Sequence, residues 1–311
     1  MKVFLNVGGR YINYWCKNWV NRFRNHLKKR EIETIEIDIS KEEDRGFIKK
    51  NHKQNDLFIS RFSEHRFPGW VTHYKEIAPL FGDRMYPNAK EVYYYNDKNR
   101  QRILFEEMGY PHPKTIYAKS SEDLERELST GRLELPLVRK AIKGSSSRYV
   151  SLKTSAEGIK FPCLLQEFCD GNDGDITTIV VGDEVTGYKR FNMDNDFRAS
   201  GSHKNCYLAS EPPMYKEDGA SLFATPSCIQ ELPLECLKMS CKISKDNGFN
   251  SMVYDFVKNN KGEWVVLEIS YTTVPSYVNA CEWKYNSANN FEKIKNDCSV
   301  QELIIRRMLD E

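Results

Sequence analysis

Two acidic residues lie inside apolar segments near the end of the chain. Asp255 is in the segment MVYDFV and Glu268 is in VVLEIS. Burying a carboxylate is costly unless something compensates it, and carboxylates on adjacent antiparallel strands can converge on one face. Hard oxygen ligands of this kind suit Mg²⁺, which also binds phosphate oxygens. The pair predicts a magnesium site, while two solvent-facing acids on an edge hairpin are the alternative for this motif alone.

A lysine followed by a serine-rich loop is the second candidate. Lys140 ends the apolar stretch PLVRK, and Gly144, Ser145, Ser146 and Ser147 follow it. The ammonium group can neutralise phosphate as a point charge, and the loop N–H groups and hydroxyls can cradle terminal phosphates. An ordinary polar hairpin loop is the alternative.

The third candidate is the segment LLQEFC, which contains Gln166, Glu167 and Phe168 and leads into a loop rich in Gly and Asp that reaches Asp175. The end of a buried strand offers backbone N–H and C=O groups to the edge of an adenine, because both are obligatory hydrogen-bonding groups. A nearby acid can bind ribose hydroxyls. A core strand with an exposed turn is the alternative.

Two arginines complete the set. Arg190 follows Tyr188 and Lys189, and Arg198 ends the triplet Asp-Phe-Arg. Guanidinium groups stabilise the charge on a transferring phosphoryl group or bind a carboxylate through two parallel hydrogen bonds. Surface arginines are the alternative.

Bulk composition excludes several classes of protein. The chain has 311 residues, enough for two or three packed subdomains, and its net charge of +2 gives no basic patch for nucleic acid. Nine cysteines without a CxxC motif argue against a zinc site or a disulfide framework. The N-terminus does not resemble a signal peptide, and no apolar run approaches the roughly 20 residues of a membrane helix. We therefore expect a cytoplasmic protein.

The first 96 residues are typical of a small α/β unit. Residues 2–7, 34–39 and 56–60 predict strands, and Trp15, Trp19, Phe23 and Leu27 recur every fourth residue on one face of a helix that ends near Arg30. Strand, helix and strand in this order favour a parallel sheet. Residues 85–97 are polar and predict a turn-rich boundary.

The rest of the chain alternates short strands with helices. We predict helices at 99–108, after Ser120, at 234–247 and at 300–309. Strands are predicted at 114–117, 137–141, 150–152, 164–168, 176–181, 184–191, 251–258 and 263–269.

The order of the candidate residues resembles the ATP-grasp superfamily. Residues 164–198 are the most specific part, because they look like the pattern QEY…D.R..VVGDEV…R…DFR of RimK-type ligases, which add glutamate to a protein C-terminus. The resemblance to glutathione synthetase and D-alanine–D-alanine ligase is more distant. The resemblance to the superfamily extends over about residues 96–273.

The resemblance implies an α/β (α+β) ATP-grasp fold with ATP between two subdomains. We expect an N-terminal α/β domain at 1–96, a lid subdomain at 97–169 and a C-terminal subdomain with the metal site at 170–311. By this resemblance, Lys98, Lys140 and the serines would contact phosphates, and Gln166, Glu167 and Phe168 would contact adenine. Asp175 would bind the ribose, and Arg190 and Arg198 would face the reacting groups. The Mg²⁺ ligands would be Asp255, Glu268 and Ser270.

Three positions depart from the family pattern. Thr177 stands where the family often has arginine, Ser200 where it has asparagine after Asp-Phe-Arg, and Ser270 where the metal motif Glu-x-Asn ends. Serine is shorter and a weaker metal ligand than asparagine. A non-catalytic ATP-binding module therefore stays open as an alternative.

The function implied is an ATP- and Mg²⁺-dependent carboxylate–amine ligase that forms an amide through an acyl phosphate. The segment FRASGS resembles ATP-grasp proteins of surface-polysaccharide pathways, so a sugar uronic acid or a sugar-linked amino acid is one expected substrate class. A dipeptide ligase, a phosphotransferase on the same fold and a homodimeric assembly are left open.

Overall fold

The N-terminal sheet is parallel, as the sequence predicts. The computed structural model describes residues 1–8, 14–61, 69–95, 97–143, 149–192, 196–199, 232–273, 277–278 and 281–310. The first elements are β1 (Val3–Asn6), α1 (Tyr14–Lys29), β2 (Thr34–Ile37), α2 (Glu42–Asn51), β3 (Leu57–Ile59), α3 (Trp70–Phe81) and β4 (Met85–Tyr86). All pairs are parallel, in the order β2-β1-β3-β4.

The predicted turn-rich character of residues 85–97 is wrong over most of the segment, whereas its role as a boundary stays a prediction. The segment contains β4 and a helix, α4 (Ala89–Tyr95). The polar residues of this segment suggested a solvent-exposed turn, but one of them is buried. The Glu91 carboxylate, 0% exposed, accepts hydrogen bonds from the backbone N–H groups of Asn88, Asn250 and Ser251, each at 2.7 Å. Polar groups bonded within the fold look the same in a sequence as solvated ones.

A second, four-stranded sheet forms the middle of the chain. Its region contains α5 (Lys98–Glu107), β5 (Thr115–Ala118), α6 (Ser121–Ser129), β6 (Leu137–Lys140), β7 (Val150–Lys153) and β8 (Cys163–Glu167). The strands are antiparallel in the order β5-β8-β6-β7. We call it the lid sheet. It has an apolar core of its own, which includes Leu124, Leu137 and Leu165.

The third sheet has six antiparallel strands. Its elements are β9 (Gly174–Val181), β10 (Glu184–Phe191), α7 (Leu234–Asn247), β11 (Ser251–Lys258), β12 (Trp264–Ser270), β13 (Trp283–Asn286), β14 (Glu292–Lys295) and α8 (Val300–Leu309). The order is β12-β11-β9-β10-β13-β14. β13 and β14 were not predicted, because each has only four residues, too few for the pattern of a strand to stand out from the polar sequence around it.

The N-terminal unit and the six-stranded sheet share one apolar core. Tyr86 stacks on Trp19 with ring centroids 5.4 Å apart, and its hydroxyl donates to the carbonyl of Tyr271 at 2.7 Å. Residues of β1, α1, β9 and α8 belong to the same buried cluster. The subdomain limits at 96 and 169 stay predictions.

Candidate active site

Asp255 and Glu268 lie directly opposite each other on β11 and β12. The register shifts beside them, because Phe256 pairs with Val266 and leaves Leu267 as an extra residue in β12. Such a bulge re-aims the side chains next to it, which explains how the adjacent Leu267 and Glu268 both line one cleft. The two carboxylates share a face of the sheet, as the sequence predicts.

A lysine from another element meets this pair. Lys98 is the first residue of α5, and its ammonium group forms a salt bridge with Glu268. Asp97 starts the helix, because its side chain accepts hydrogen bonds from the N–H groups of Asn99 at 2.9 Å and Arg100 at 3.3 Å. Although burial opposes ionisation of Glu268, Lys98 and Lys140 hold its pKa below the ordinary value.

The helix that carries Lys98 is fixed to β12 one turn later. Gln101 is buried, its amide Nε2 donates to the carbonyl of Ile269 at 3.0 Å, and its Oε1 accepts from the N–H of Ile269 at 3.1 Å. Gln101 thus caps the edge of β12 beside Glu268. No sequence pattern pointed to this positioning residue, because a glutamine in a polar helix is common.

Arg190 joins two carboxylates on neighbouring strands. Its Nε and Nη2 donate to the two oxygens of Asp175, both at 2.7 Å, and Nη2 lies 2.9 Å from an oxygen of Asp255. Burial raises the pKa of Asp175 to about 6, and Arg190 opposes that shift. The two acids hold the pKa of Arg190 well above its ordinary value against the effect of burial. The predicted ribose contact of Asp175 stays a prediction.

Thr177 occupies the position where the family pattern often has arginine. It pairs with Asp255 in the β9–β11 ladder, and its hydroxyl donates to the Asp255 carboxylate at 2.8 Å. The threonine therefore orients the Asp255 carboxylate, a role that sequence reasoning missed. Thr177 lies on β9, which begins at Gly174. A Cβ at position 174 would lie 1.9 Å from the carbonyl oxygen of Arg190, which is too close for any side chain.

Lys140 ends β6 in the lid sheet with its ammonium group buried. The residue is 7% exposed, and burial lowers its pKa to about 8, with Glu268 acting in the opposite direction. Within the described part of the chain, no hydrogen bond or ion pair to its Nζ is found. Burying an ammonium group is costly unless it is paired, and an anion in the cleft could pair with it.

The cleft lies between α5, the lid sheet and β12. Its walls include Lys98, Lys140, Gln166, Leu267 and Glu268. The Gln166 amide donates to Thr115 Oγ1 at 2.9 Å, and Gln166 is buried. Phe105, His112 and Leu164 also line this cleft. They were not among the predicted site residues, because apolar residues in a helix or strand and a lone histidine in a loop carry no specific signal.

The end of β8 is tied to the turn between β11 and β12. Asn260 Nδ2 donates to the carbonyl of Phe168 at 3.2 Å, and the Phe168 ring lies edge-on to Phe197 with centroids 5.9 Å apart. Arg198 binds the Asp196 carboxylate through Nε at 2.9 Å. The adenine contacts of Glu167 and Phe168 and the catalytic role of Arg198 stay predictions. Ser145, Ser146, Ser147 and Ser200 lie outside the described residues.

The donor set fits Mg²⁺. In the portion of the chain that the structure describes, no group of three or more His, Cys, Asp and Glu residues is placed to hold a metal ion. Two carboxylates suit a cation that takes its other ligands from phosphate and water. The Ser270 hydroxyl is engaged elsewhere, because it accepts from the N–H of Thr272 at 3.0 Å and bonds to its Oγ1 at 2.9 Å. Asp255 and Glu268 are the residues that would hold the metal.

Other features are unremarkable. Cys163, Cys169, Cys236, Cys241, Cys281 and Cys298 are free thiols. Among the described residues, no helix combines the length and apolar character that a membrane crossing requires.

Comparison with known proteins identifies the domain and the fold. Residues 95–210 match the RimK-like ATP-grasp domain. The structure is similar to N5-carboxyaminoimidazole ribonucleotide synthetase from Thermotoga maritima (TM-score 0.60, 16% identity, 100% of this chain and 76% of that one). It is also similar to the macrocyclase MdnC from Microcystis aeruginosa MRC, bound with precursor peptide MdnA (TM-score 0.62, 11% identity, 100% of both chains covered). The ATP-grasp ligase PsnB, complexed with a minimal precursor, is a third similar structure (TM-score 0.59, 12% identity, 100% of this chain and 99% of that one).

Proposed function

Because this chain has the ATP-grasp fold, with a RimK-like ATP-grasp domain at residues 95–210, we propose that it is an ATP- and Mg²⁺-dependent carboxylate–amine ligase. One observation supports the proposal above the others: Lys98 and Lys140 meet Glu268 in one cleft, next to Asp255 and Arg190. Phosphoryl transfer needs this combination, because its catalysis is mainly positioning and neutralisation of charge.

The nucleotide would lie between the lid sheet and the six-stranded sheet. The buried ammonium of Lys140 gains an anionic partner there, and Lys98 can move from Glu268 to a phosphate oxygen over a short distance. Mg²⁺ held by Asp255 and Glu268 would neutralise charge on the phosphates when bound. The end of β8, with Gln166, Glu167 and Phe168, is our proposed adenine edge.

The reaction proceeds in two balanced steps. An oxygen of the substrate carboxylate attacks the γ-phosphorus, an O–P bond forms, and the bond to the leaving ADP oxygen breaks. The amine nitrogen then attacks the acyl carbon, a C–N bond forms, phosphate leaves, and the amine proton passes to solvent. Arg190, fixed by Asp175 and Asp255, presents positive charge beside the cluster. A lid with its own core can close and exclude the water that would hydrolyse an acyl phosphate.

The substrates are a carboxylate and an amine. We favour a sugar uronic acid or a sugar-linked amino acid, on the resemblance of the FRASGS segment at 197–202 to proteins of surface-polysaccharide pathways. A peptide carboxylate is the second class, because MdnC and PsnB, which match this chain over nearly their whole length, are seen with precursor peptides.

A nucleotide-binding module without turnover is the competing function. The engagement of the Ser270 hydroxyl with Thr272 supports it, since Ser270 stands at a ligand position of the family motif and would have to give up this contact to bind a metal. A phosphotransferase differs from both in requiring no amine.

The deciding experiment is an ADP-release screen with Mg²⁺, crossing uronic acids, amino acids and peptide carboxylates with amines. A ligase releases ADP only with both partners and yields a product of the summed mass less water. ADP release with the carboxylate alone, and a stable phosphorylated product, identifies the phosphotransferase. Tight ATP binding without ADP release from any pair supports the non-catalytic module. Glu268→Gln serves as the inactive control and Glu263→Gln, on the same hairpin, as the matched active one.

A further inference from the structure

Each of the two metal-site carboxylates is bound to a cation of the chain itself. Lys98 forms a salt bridge with Glu268, and Arg190 Nη2 lies 2.9 Å from Asp255. A divalent cation must therefore compete with a lysine and an arginine for its ligands.

The two cations are held very differently. Arg190 is bound by both Asp175 and Asp255 and lies on a central part of the six-stranded sheet. A planar guanidinium in three short contacts is fixed in place. Lys98 has Glu268 as its ion-pair partner, stands at the first position of α5, and carries a flexible four-carbon stem. Of the two, Lys98 is the cation that can exchange partners.

The charge of the cluster adds to this asymmetry. Lys98, Lys140 and Arg190 balance Asp175, Asp255 and Glu268, so the cluster is formally neutral. A bare divalent cation would leave it doubly positive within a half-buried site, where charges interact more strongly than in water. A divalent cation that arrives with a triphosphate brings its own compensation.

We propose that Lys98 couples the metal to the nucleotide: it occupies Glu268 until a polyphosphate offers it a second partner, and only then is Glu268 free to ligate the divalent cation. This inference rests on the proposed nucleotide site. It makes Lys98 a positioning residue as well as a phosphate contact. Because binding free energies are reciprocal, the nucleotide strengthens metal binding by the same factor by which metal strengthens nucleotide binding.

The test uses Mn²⁺ as the metal probe, with free Mn²⁺ measured by electron paramagnetic resonance on the full chain. For the wild type, we expect a non-hydrolysable ATP analogue to tighten Mn²⁺ binding by at least about tenfold, the lower range of allosteric coupling, after subtraction of the Mn²⁺ that the analogue binds in a protein-free titration. For Lys98→Met without nucleotide, we expect Mn²⁺ to bind at least about tenfold more tightly than to the wild type, because Glu268 has lost its competing cation. Lys98→Gln is the second variant, and circular dichroism checks that both fold.

Lys140→Met is the matched control, because it removes another cation of the same cleft that has no direct ion pair with Glu268. We expect it to tighten bare Mn²⁺ binding clearly less than Lys98→Met does, because Lys140 acts on Glu268 only through space. Equal tightening in both lysine variants would mean general electrostatics and would overturn the role of Lys98, as would equal Mn²⁺ affinity of the wild type with and without the analogue. If the wild type does not bind the analogue at all, the proposed function fails, whereas the comparison of bare Mn²⁺ binding between variants still decides whether Lys98 competes for Glu268.

Discussion

Gln101 binds both backbone groups of Ile269, donating to its carbonyl at 3.0 Å and accepting from its N–H at 3.1 Å. One side chain of α5 thus acts as an extra strand partner for the edge of β12. The contact sets the distance between Lys98, one turn earlier on the helix, and Glu268, next to Ile269 on the strand.

Replacing Gln101 by leucine should loosen this arrangement. The buried N–H and C=O of Ile269 would lose their partners, at a cost of about 2 kcal/mol in the free energy of unfolding. Nucleotide affinity should fall as well, because Lys98 is no longer held next to Glu268. Urea unfolding and nucleotide titration measure the two effects, with Glu107→Ala, an exposed residue at the end of α5, as control. Unchanged values for both would show that the contact is dispensable.

Asp255→Asn and Glu268→Gln test the two carboxylates that we propose as metal ligands. Each change removes a charged oxygen ligand, so ADP release should fall by more than about 100-fold while the fold is retained. Glu263→Gln alters an exposed acid of the same hairpin, bound to Asn259 at 2.9 Å, and should change the rate less than about twofold. Rates equal to wild type in either acid variant would exclude the carboxylate as a ligand.

The dependence of nucleotide affinity on pH should report Lys140. Burial lowers its pKa to about 8, below the ordinary 10.5, so the ammonium charge is lost as pH rises through 8. Affinity is therefore nearly full about one unit below pH 8, falls to about half at pH 8 and should fall by about fivefold more between pH 8 and 9, since only the charged form neutralises phosphate. Lys140→Arg should flatten the profile, because a guanidinium stays charged. A wild-type profile as flat as that of the arginine variant would contradict the assignment.

Substitution of Ser270 tests whether this residue binds the metal or only stabilises the local turn. Its hydroxyl is engaged by Thr272, so Ser270→Ala should leave Mn²⁺ affinity in the presence of nucleotide within about twofold and lower stability by about 1 kcal/mol. Electron paramagnetic resonance and urea unfolding give the two values. A tenfold loss of metal affinity at unchanged stability would instead make Ser270 a ligand.

Glu91 should make stability depend on pH. Burial raises its pKa to about 7, against the three backbone N–H groups that favour the ionised form. The unfolded chain releases this proton near 4.5, whereas the folded one holds it until about 7. The tighter proton binding by folded Glu91 therefore contributes fully to the free energy of unfolding below pH 4.5. This contribution, up to about 3 kcal/mol, is lost as pH rises to 7.

Comparison with Glu91→Gln isolates this contribution. The difference in unfolding free energy between wild type and variant should shrink as pH rises from 5 to 7, because other groups cancel. Glu76→Gln, which alters a more exposed acid, serves as control. A difference that does not vary with pH would show that Glu91 stays ionised in the folded protein throughout.

Local patterns in the sequence determined most of the elements and the chemical types at the site. The limits of β10, β11, α7 and α8 agree with those predicted, because alternation, helical periodicity and a terminal residue such as Gly248 act within a few residues. The pairing of Asp255 with Glu268 followed from two apolar strands joined by a short turn. Charge type and chain order were sufficient to propose nucleotide and metal.

The tertiary structure decided which charge meets which. Lys98 reaches Glu268 across 170 positions of sequence, Arg190 bridges Asp175 and Asp255, and Glu91 is buried against the start of β11. None of these contacts has a local signal, because the register between strands and the packing of a helix on a sheet edge depend on the whole chain. A sequence names the groups that can carry charge, but only their burial and their neighbours determine the protonation state and the partner of each.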